Sequence, residues 1–334
     1  MMALRAVTLV LWASLALAPG SLHAQAVPGV LVQVDNDGLN LWKPKIERTD
    51  GDYSNGVRVS ISRSMAPLWG RLMTSAAPCT GHETGHTRCL TTEIALTQQM
   101  YTPSTAIGQP QILDRPFVGL LHADVTANVV STKRITSVRI EAGFTGRATL
   151  AEALQRSFHR IAGTNDAPGW QYQLGFLPIG GVTYTDRLRK VLATSNGHSI
   201  VDLLPGWSAQ AGNSRTVANG EVVARAGYHL SHPWSLAARA AESSQRFGVW
   251  VYGGVRESFV AYDETLDRRW SRNGSSYSVE RIPWVASYQF GVAARRHSLT
   301  ITFGGTHDAR EYETEVGPHS YGSLTVIIDH GAGS

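Results

Sequence analysis

From residue 30 onward the chain alternates apolar and polar residues with period two. Val30, Val32 and Val34 alternate with Leu31, Gln33 and Asp35, and Val57, Val59 and Ile61 with Arg58, Ser60 and Ser62. Phe117, Gly119, Leu121, Ala123 and Val125 interleave with Val118, Leu120, His122, Asp124 and Thr126; Leu299, Ile301 and Phe303 interleave with Thr300 and Thr302. Period two marks β-strands with one face unlike the other. The polar face carries Arg58, Asp124, Arg139 and Glu141, which the apolar core of a β-sandwich would exclude. A transmembrane barrel has a polar interior and an apolar outer wall, and accepts them.

Such runs fall at residues 29–36, 55–63, 92–101, 116–128, 134–144, 181–192, 199–210, 220–230, 247–261, 279–293, 297–309 and 320–328. They predict an all-β fold, a twelve-stranded antiparallel transmembrane β-barrel, an even count being usual for such barrels. Residues 129–134 and 294–298 read as tight turns, and 37–53, 102–115, 145–180, 211–219, 262–278 and 310–319 as long loops at the other end. Segment 65–91 is the exception, long but on the short-turn side. The chain finishes "YGSLTVIIDHGAGS", without the terminal aromatic residue usual in such barrels.

The first residues explain how a barrel reaches a membrane. Arg5 precedes an apolar run from Ala6 to Ala18, and small residues follow. This is the pattern of a secretory signal peptide over residues 1–24, with cleavage at 26 as an alternative. The expected barrel domain is 25–334, with its amino terminus in the periplasm and its long loops outside. No later run is long enough for a transmembrane helix. The net charge of +4 comes without a basic block, so nucleic acid is not an expected partner. Cys79 and Cys89 are expected to form a disulfide in an oxidising compartment. The pattern Cys79-x-x-His82-x-x-x-His86-x-x-Cys89 also offers four zinc ligands.

One long loop carries a helical signature. Leu150, Leu154, Phe158 and Ile161 form an apolar stripe, Thr149 and Glu152 resemble a capping box, and Gly163 suits a helix stop. Glu152, Gln155 and His159 then share a polar face. The simplest way to bury the stripe is to fold the helix over the barrel mouth.

At the outer rim the end of the first strand meets the start of the second, so Asp37 and Ser54 are expected to be close. A carboxylate, an amide, a hydroxyl and an imidazole there suit ester hydrolysis. Asp37 with loop carbonyls could hold calcium, and His159 has the side chain suited to a general base. Each also admits a plain role: Asp37 as a turn cap, Ser54 beside Asn55-Gly56 as turn chemistry, His159 as a solvated helix residue. The other histidines, His122 and His198 among them, read as structural or surface residues.

An ordered set of segments resembles the outer-membrane lipid A 3'-O-deacylase family. They are "NDG" (36–38), "TDGDYSNG" (49–56), "QQMYTPS" (98–104), "DRPFVGLLHA" (114–123), "EAGFTG" (141–146), "QRSFHRIAG" (155–163), "PGWQYQL" (168–174), "AGNSRTVANG" (211–220) and "HSYGSL" (319–324). The resemblance spans nearly the whole mature chain. It implies a calcium-dependent hydrolase of the bacterial outer membrane, acting on the ester-linked 3' acyloxyacyl chain of lipid A in lipopolysaccharide. The family's Asn-Asp pair falls on Asn36 and Asp37, with Asp37 as a calcium ligand. Its general base falls on His159, the preceding glutamine on Gln155, and its strand-two threonine on Ser54. A glutamate six residues after the histidine is replaced by Asn165, with Asp166 next, and Val118 stands where a small residue is expected. The alternative functions are a phospholipase-type barrel with a Ser-His pair acting on glycerophospholipids, and a non-catalytic pore or structural barrel.

Overall fold

The computed structural model describes residues 28–42, 51–67, 69–70, 74–83, 87–104, 111–162, 168–234, 247–268, 270–272, 275–277 and 279–329. The expected signal peptide, Gly163, Asn165, Asp166, His86 and the last five residues lie outside them.

The strands are β1 (Gly29–Asn36), β2 (Asp52–Arg63), β3 (Cys89–Thr102), β4 (Val118–Val130), β5 (Arg134–Thr145), β6 (Pro178–Leu188), β7 (Lys190–Ser195), β8 (His198–Gly212), β9 (Arg215–Tyr228), β10 (Phe247–Asp263), β11 (Trp270–Arg272), β12 (Ser275–Tyr277), β13 (Trp284–Arg296), β14 (Leu299–Asp308) and β15 (His319–Asp329). β6 and β7 are one stave interrupted at Arg189, and both pair with β8. β11 and β12 form a separate small hairpin in a long loop. The remaining strands follow chain order around the wall, and β1 closes on β15. The result is a closed antiparallel barrel of twelve staves. Among the described residues no helix is long and apolar enough to cross a membrane, so the crossing is made by strands.

The alternation in sequence becomes inside and outside. Ile61, Ile94, Ile140, Val222, Val251, Val292 and Ile301 stand exposed on the outer wall. Inside, Arg58 pairs with Glu93 and with Asp124 at 3.2 Å, and Asp202 accepts from Arg225 at 2.6 Å and Arg189 at 2.7 Å. Charges cut off from water need such partners.

The loop pattern departs from expectation twice. Residues 211–219 belong to β8 and β9, joined by a turn at Asn213-Ser214; Asn213 accepts from Gly180 N at 2.7 Å and donates to Pro178 O at 2.8 Å. Arg215 and Asn219 line the lumen, so this polar stretch resembles a loop in sequence. Conversely, 229–246 is a second long connection at the short-turn end. Its Trp234 joins Cys79, Cys89, Val130, Ile135, Leu204 and Val223 in an apolar cluster. Cys79 and Cys89 form the disulfide, which removes the zinc reading.

The predicted helix exists as α1 (Ala151–Ala162), but its start and its buried face differ from expectation. Leu150 takes a left-handed φ of 60°, and the Thr149 hydroxyl donates to Gly146 O at 2.7 Å, so Thr149 does not build the capping box. Leu150 is 65% exposed. The buried positions are Ala151, Gln155 and His159, at i, i+4 and i+8, with Leu154 and Phe158 half-buried.

Nor does α1 cover the mouth. Gly119 lies on the outward face of β4, in register with Leu121 and Ala123, and a Cβ there would meet Thr149 Oγ1 at 2.2 Å and Ala151 Cβ at 2.7 Å. Gln98, on the outward face of β3, donates to Thr149 O at 2.5 Å. Met100 and Phe117 pack with Ala151, Trp170 and Leu154. The helix therefore leans on the outer wall beside the long-loop rim, where uncharged outward side chains accept its apolar contacts.

Candidate active site

The end of β1 supplies the first element. Asn36 faces outward and caps a single 3₁₀ turn, Asp37–Leu39. Its Oδ1 accepts from Gly38 N at 2.8 Å, and its Nδ2 donates to Ser54 O at 3.0 Å. The cap is thus Asn36, while Asp37, expected as a possible cap, is buried in the first turn. The chain then runs along the outer wall. A Cβ at Gly322 would meet Leu39 O at 2.2 Å, and one at Gly305 would meet the Trp42 ring at 2.1 Å. Only glycine permits this approach. Trp42 ends edge-on against Phe290, centroids 5.0 Å apart.

The second element is a β-bulge. β2 pairs Tyr53 with Tyr101 and Asn55 with Met100, which leaves Ser54 as the extra residue. In an unbroken strand Tyr53 and Asn55 would face the same side. The bulge separates them. Tyr53 points into the lumen and donates to Asp35 at 3.3 Å, whereas Asn55 shares the outward row of Asn36 and Met100. Bulges commonly re-aim side chains beside functional sites. Ser54 Oγ is 2.6 Å from Thr102 Oγ1. Residues 54–56 are strand, so the turn reading of Ser54-Asn55-Gly56 does not hold.

The third element is α1. The cross-strand row Asn36, Asn55, Met100, Gly119 ends where α1 begins. Three inter-strand steps of ~4.8 Å place Asn36 roughly 14 Å along the wall from Gly119. Gln155 Oε1 accepts from Trp170 Nε1 at 2.5 Å, and Trp170 stacks obliquely on Phe117 at 5.1 Å. His159 lies one turn further along the same buried face. The Asp37–Trp42 segment and α1 thus stand as two banks on the outer wall, with Asn36 and Asn55 on the floor between them.

A network of outer loops braces the top of β2. Tyr312 Oη donates to Asp114 at 2.5 Å and lies 3.1 Å from Asp52 Oδ1. Buried Arg115 lies 3.2 Å from Asp52 and 2.6 Å from Glu311, between the rings of Tyr101 and Tyr312. Burial opposes the Arg115 charge, but Glu311 and Asp52 outweigh it and hold its pKa well above the ordinary value. Burial, with Asp52 adding, pushes the Glu315 carboxyl up to about 8.

The model of the family described as "Outer membrane protein LpxR" matches residues 6–330. The chain belongs to the LpxR family. This is the family of outer-membrane lipid A 3'-O-deacylases that the ordered motifs resemble, and the barrel sits in the bacterial outer membrane. Among solved structures, LpxR from Salmonella typhimurium is similar over 90% of this chain and 100% of its own, at 20% identity and a TM-score of 0.69. That likeness concerns the fold. The β domain of the Bordetella autotransporter BrkA aligns over 91% of this chain and 100% of its own, at 8% identity and a TM-score of 0.47. The translocator domain of NalP from Neisseria meningitidis aligns over 90% and 88%, at 9% identity and a TM-score of 0.41. No curated protein matches the chain.

Of the candidate residues in this LpxR-family chain, Asn36 and Ser54 are in direct contact, Asp37 adjoins Asn36, and Gln155 and His159 share the buried face of α1. The donor set around Asp37 suits a hard cation. Asp37 is a buried carboxylate, and Asn40, at the other end of the same turn, is 2% exposed with an Oδ1 that has no hydrogen-bond partner in the protein. Calcium takes such carboxylate, amide and carbonyl oxygens. Among the described residues the one tight cluster of three acidic, histidine or cysteine side chains is Cys79, Glu83 and Cys89, and its thiols are consumed by the disulfide. Asn40, Asn55 and Trp170 were not singled out by sequence. The available signal was the outward parity of Asn55 with Val57 and Val59.

Proposed function

We propose that this protein is a calcium-dependent carboxylic ester hydrolase that removes the 3' acyloxyacyl chain of lipid A at the outer leaflet. The observation that carries the reading is the position of the groove. It lies on the outside of the barrel wall beside the outer rim, where a lipid substrate can reach it without leaving the membrane.

In this reading His159 takes a proton from water as the water attacks the ester carbonyl carbon. The tetrahedral species collapses, the sugar 3' oxygen leaves with the proton from the imidazolium, and the acyl group departs as a carboxylic acid. Gln155, held by Trp170, fixes the helix face that presents His159. Asn36 and Ser54 shape the floor and orient the water or support the oxyanion. Asp37 and Asn40 would hold the calcium, which when bound polarises the ester carbonyl.

A serine nucleophile is less well supported, because Ser54 Oγ is engaged by Thr102 Oγ1 rather than by an imidazole. The test is mass spectrometry of lipid A after incubation with the purified, detergent-refolded protein, with calcium and with a chelator. Calcium-dependent loss of the 3' acyloxyacyl group is the expected result. Unchanged lipid A from a folded barrel would overturn the reading and turn attention to phospholipids.

A further inference from the structure

Asn55 sits in the middle of the groove floor, between Asn36 on β1 and Met100 on β3. It is 2% exposed, yet neither Nδ2 nor Oδ1 has a hydrogen-bond partner in the protein. Among the described residues it is the one amide side chain with both polar atoms buried and unmatched. Folded proteins rarely leave a buried amide so, and each case calls for an explanation. A purely structural role explains little here. An aliphatic side chain of similar size would pack the same space without burying two unmatched polar atoms. The β-bulge at Ser54 points the same way, since it turns this amide outward while sending Tyr53 into the lumen.

We infer that Asn55 is a substrate-contacting residue whose Nδ2 donates a hydrogen bond to the oxyanion that develops on the ester carbonyl during hydrolysis. This rests on the proposed ester hydrolysis in this groove. The reacting centre of an ester presents only acceptors, so the nitrogen is the useful end of the amide. A donor fixed in a site shielded from water stabilises developing charge without reorganising, and such donors act on kcat rather than on ground-state binding.

The experiment compares wild type, Asn55→Leu and Asn55→Asp as full-length barrels. Folding is scored by heat-modifiable gel mobility and by melting temperature. kcat and KM are measured on lipid A in mixed detergent micelles containing calcium. Both variants are expected to fold and to lose roughly 100- to 1000-fold in kcat with KM little changed. Asn55→Leu is expected to melt at or above the wild-type temperature, because it removes two unmatched polar atoms. Asn55→Asp keeps the size and carries the test alone if the leucine variant does not fold. Wild-type kcat in either folded variant would overturn the assignment; in Asn55→Asp it would indicate that the oxygen, as an ion ligand, is the working end. A fall in activity that merely tracks a fall in melting temperature would also overturn it. Wild-type protein that leaves lipid A untouched would instead remove the hydrolase reading, and this assignment with it.

Discussion

At the scale of single residues, the site is built from side chains whose partners leave them little freedom. Asn36 spends its oxygen on Gly38 N and its nitrogen on Ser54 O, so it ties the 3₁₀ turn to the β-bulge and fixes where Asp37 stands. Gln155 is held by the Trp170 indole. His159 projects from the same face one turn later, and nothing in the barrel wall depends on α1 for its strand pairing. His159→Ala should therefore leave the barrel folded, with unchanged heat-modifiable mobility, while hydrolysis of lipid A falls by about 10²–10⁴, the usual contribution of a general base. A His159→Ala protein that keeps wild-type turnover would remove the imidazole from the chemistry.

At the scale of elements, the two banks of the groove depend on glycines in the wall. Gly119 admits the start of α1 because a Cβ there would collide with Thr149 and Ala151. Gly119→Val should push α1 off the wall while β4 still pairs with β3 and β5. Displacement by about 1 Å can cost roughly 100-fold in rate, so activity should fall at least that far with the barrel intact; circular dichroism and a turnover assay separate the two effects. The outer loop that carries Glu315 has its own signature. Glu315 is pushed up from 4.5 to about 8, so the folded loop holds a proton that the unfolded loop releases. Its contribution to stability is complete below about 4.5 and is lost as the pH rises through about 8. Hydrogen exchange across residues 309–318 should quicken over that window, and Glu315→Gln should flatten the response; the same pH dependence in both proteins would exclude Glu315 as the cause. These elements were unequally legible in sequence. The strands could be read because alternation is local and each strand face meets a uniform environment. The helix could be read as a helix, from its period, but not as a helix leaning on the outside. That depends on Gly119, Gln98 and Met100 facing outward on strands far from it in sequence. The inward turn of Tyr53 is not legible in sequence, because one extra residue at Ser54 reverses the parity that the rest of β2 obeys.

At the scale of the whole molecule, the barrel separates two tasks. The outer wall meets lipid and carries the groove, whereas the lumen is occupied by structure. A cavity of about 180 Å³ lies within it, lined by paired charges such as Arg58 with Glu93 and by Tyr53, Tyr101 and Tyr321. The short-turn end holds an apolar cluster of the Cys79–Cys89 disulfide with Val130, Ile135, Leu204, Val223 and Trp234. Trp234 Nε1 donates to Ser131 O at 2.8 Å, and His232 Nε2 lies 2.9 Å from Thr132 O, so this plug is fastened to the β4–β5 turn. An open aqueous channel needs a continuous polar path, as in the wide porins, and an apolar cluster inside the short-turn end of a narrow twelve-stave barrel works against one. Wild-type protein in planar bilayers should therefore show no steady conductance. The disulfide restrains the loop that carries Cys79 against the start of β3, and that restraint is lost in a Cys79→Ser, Cys89→Ser protein. Such a protein should show intermittent current steps as the cluster around Cys79 and Trp234 loosens, while its turnover of lipid A stays near wild type, because the groove lies on the opposite face of the wall and at the opposite end. Steady porin-like conductance in the wild type would restore the pore reading. Loss of hydrolysis in the double-serine protein would show that plug and groove are coupled through the wall.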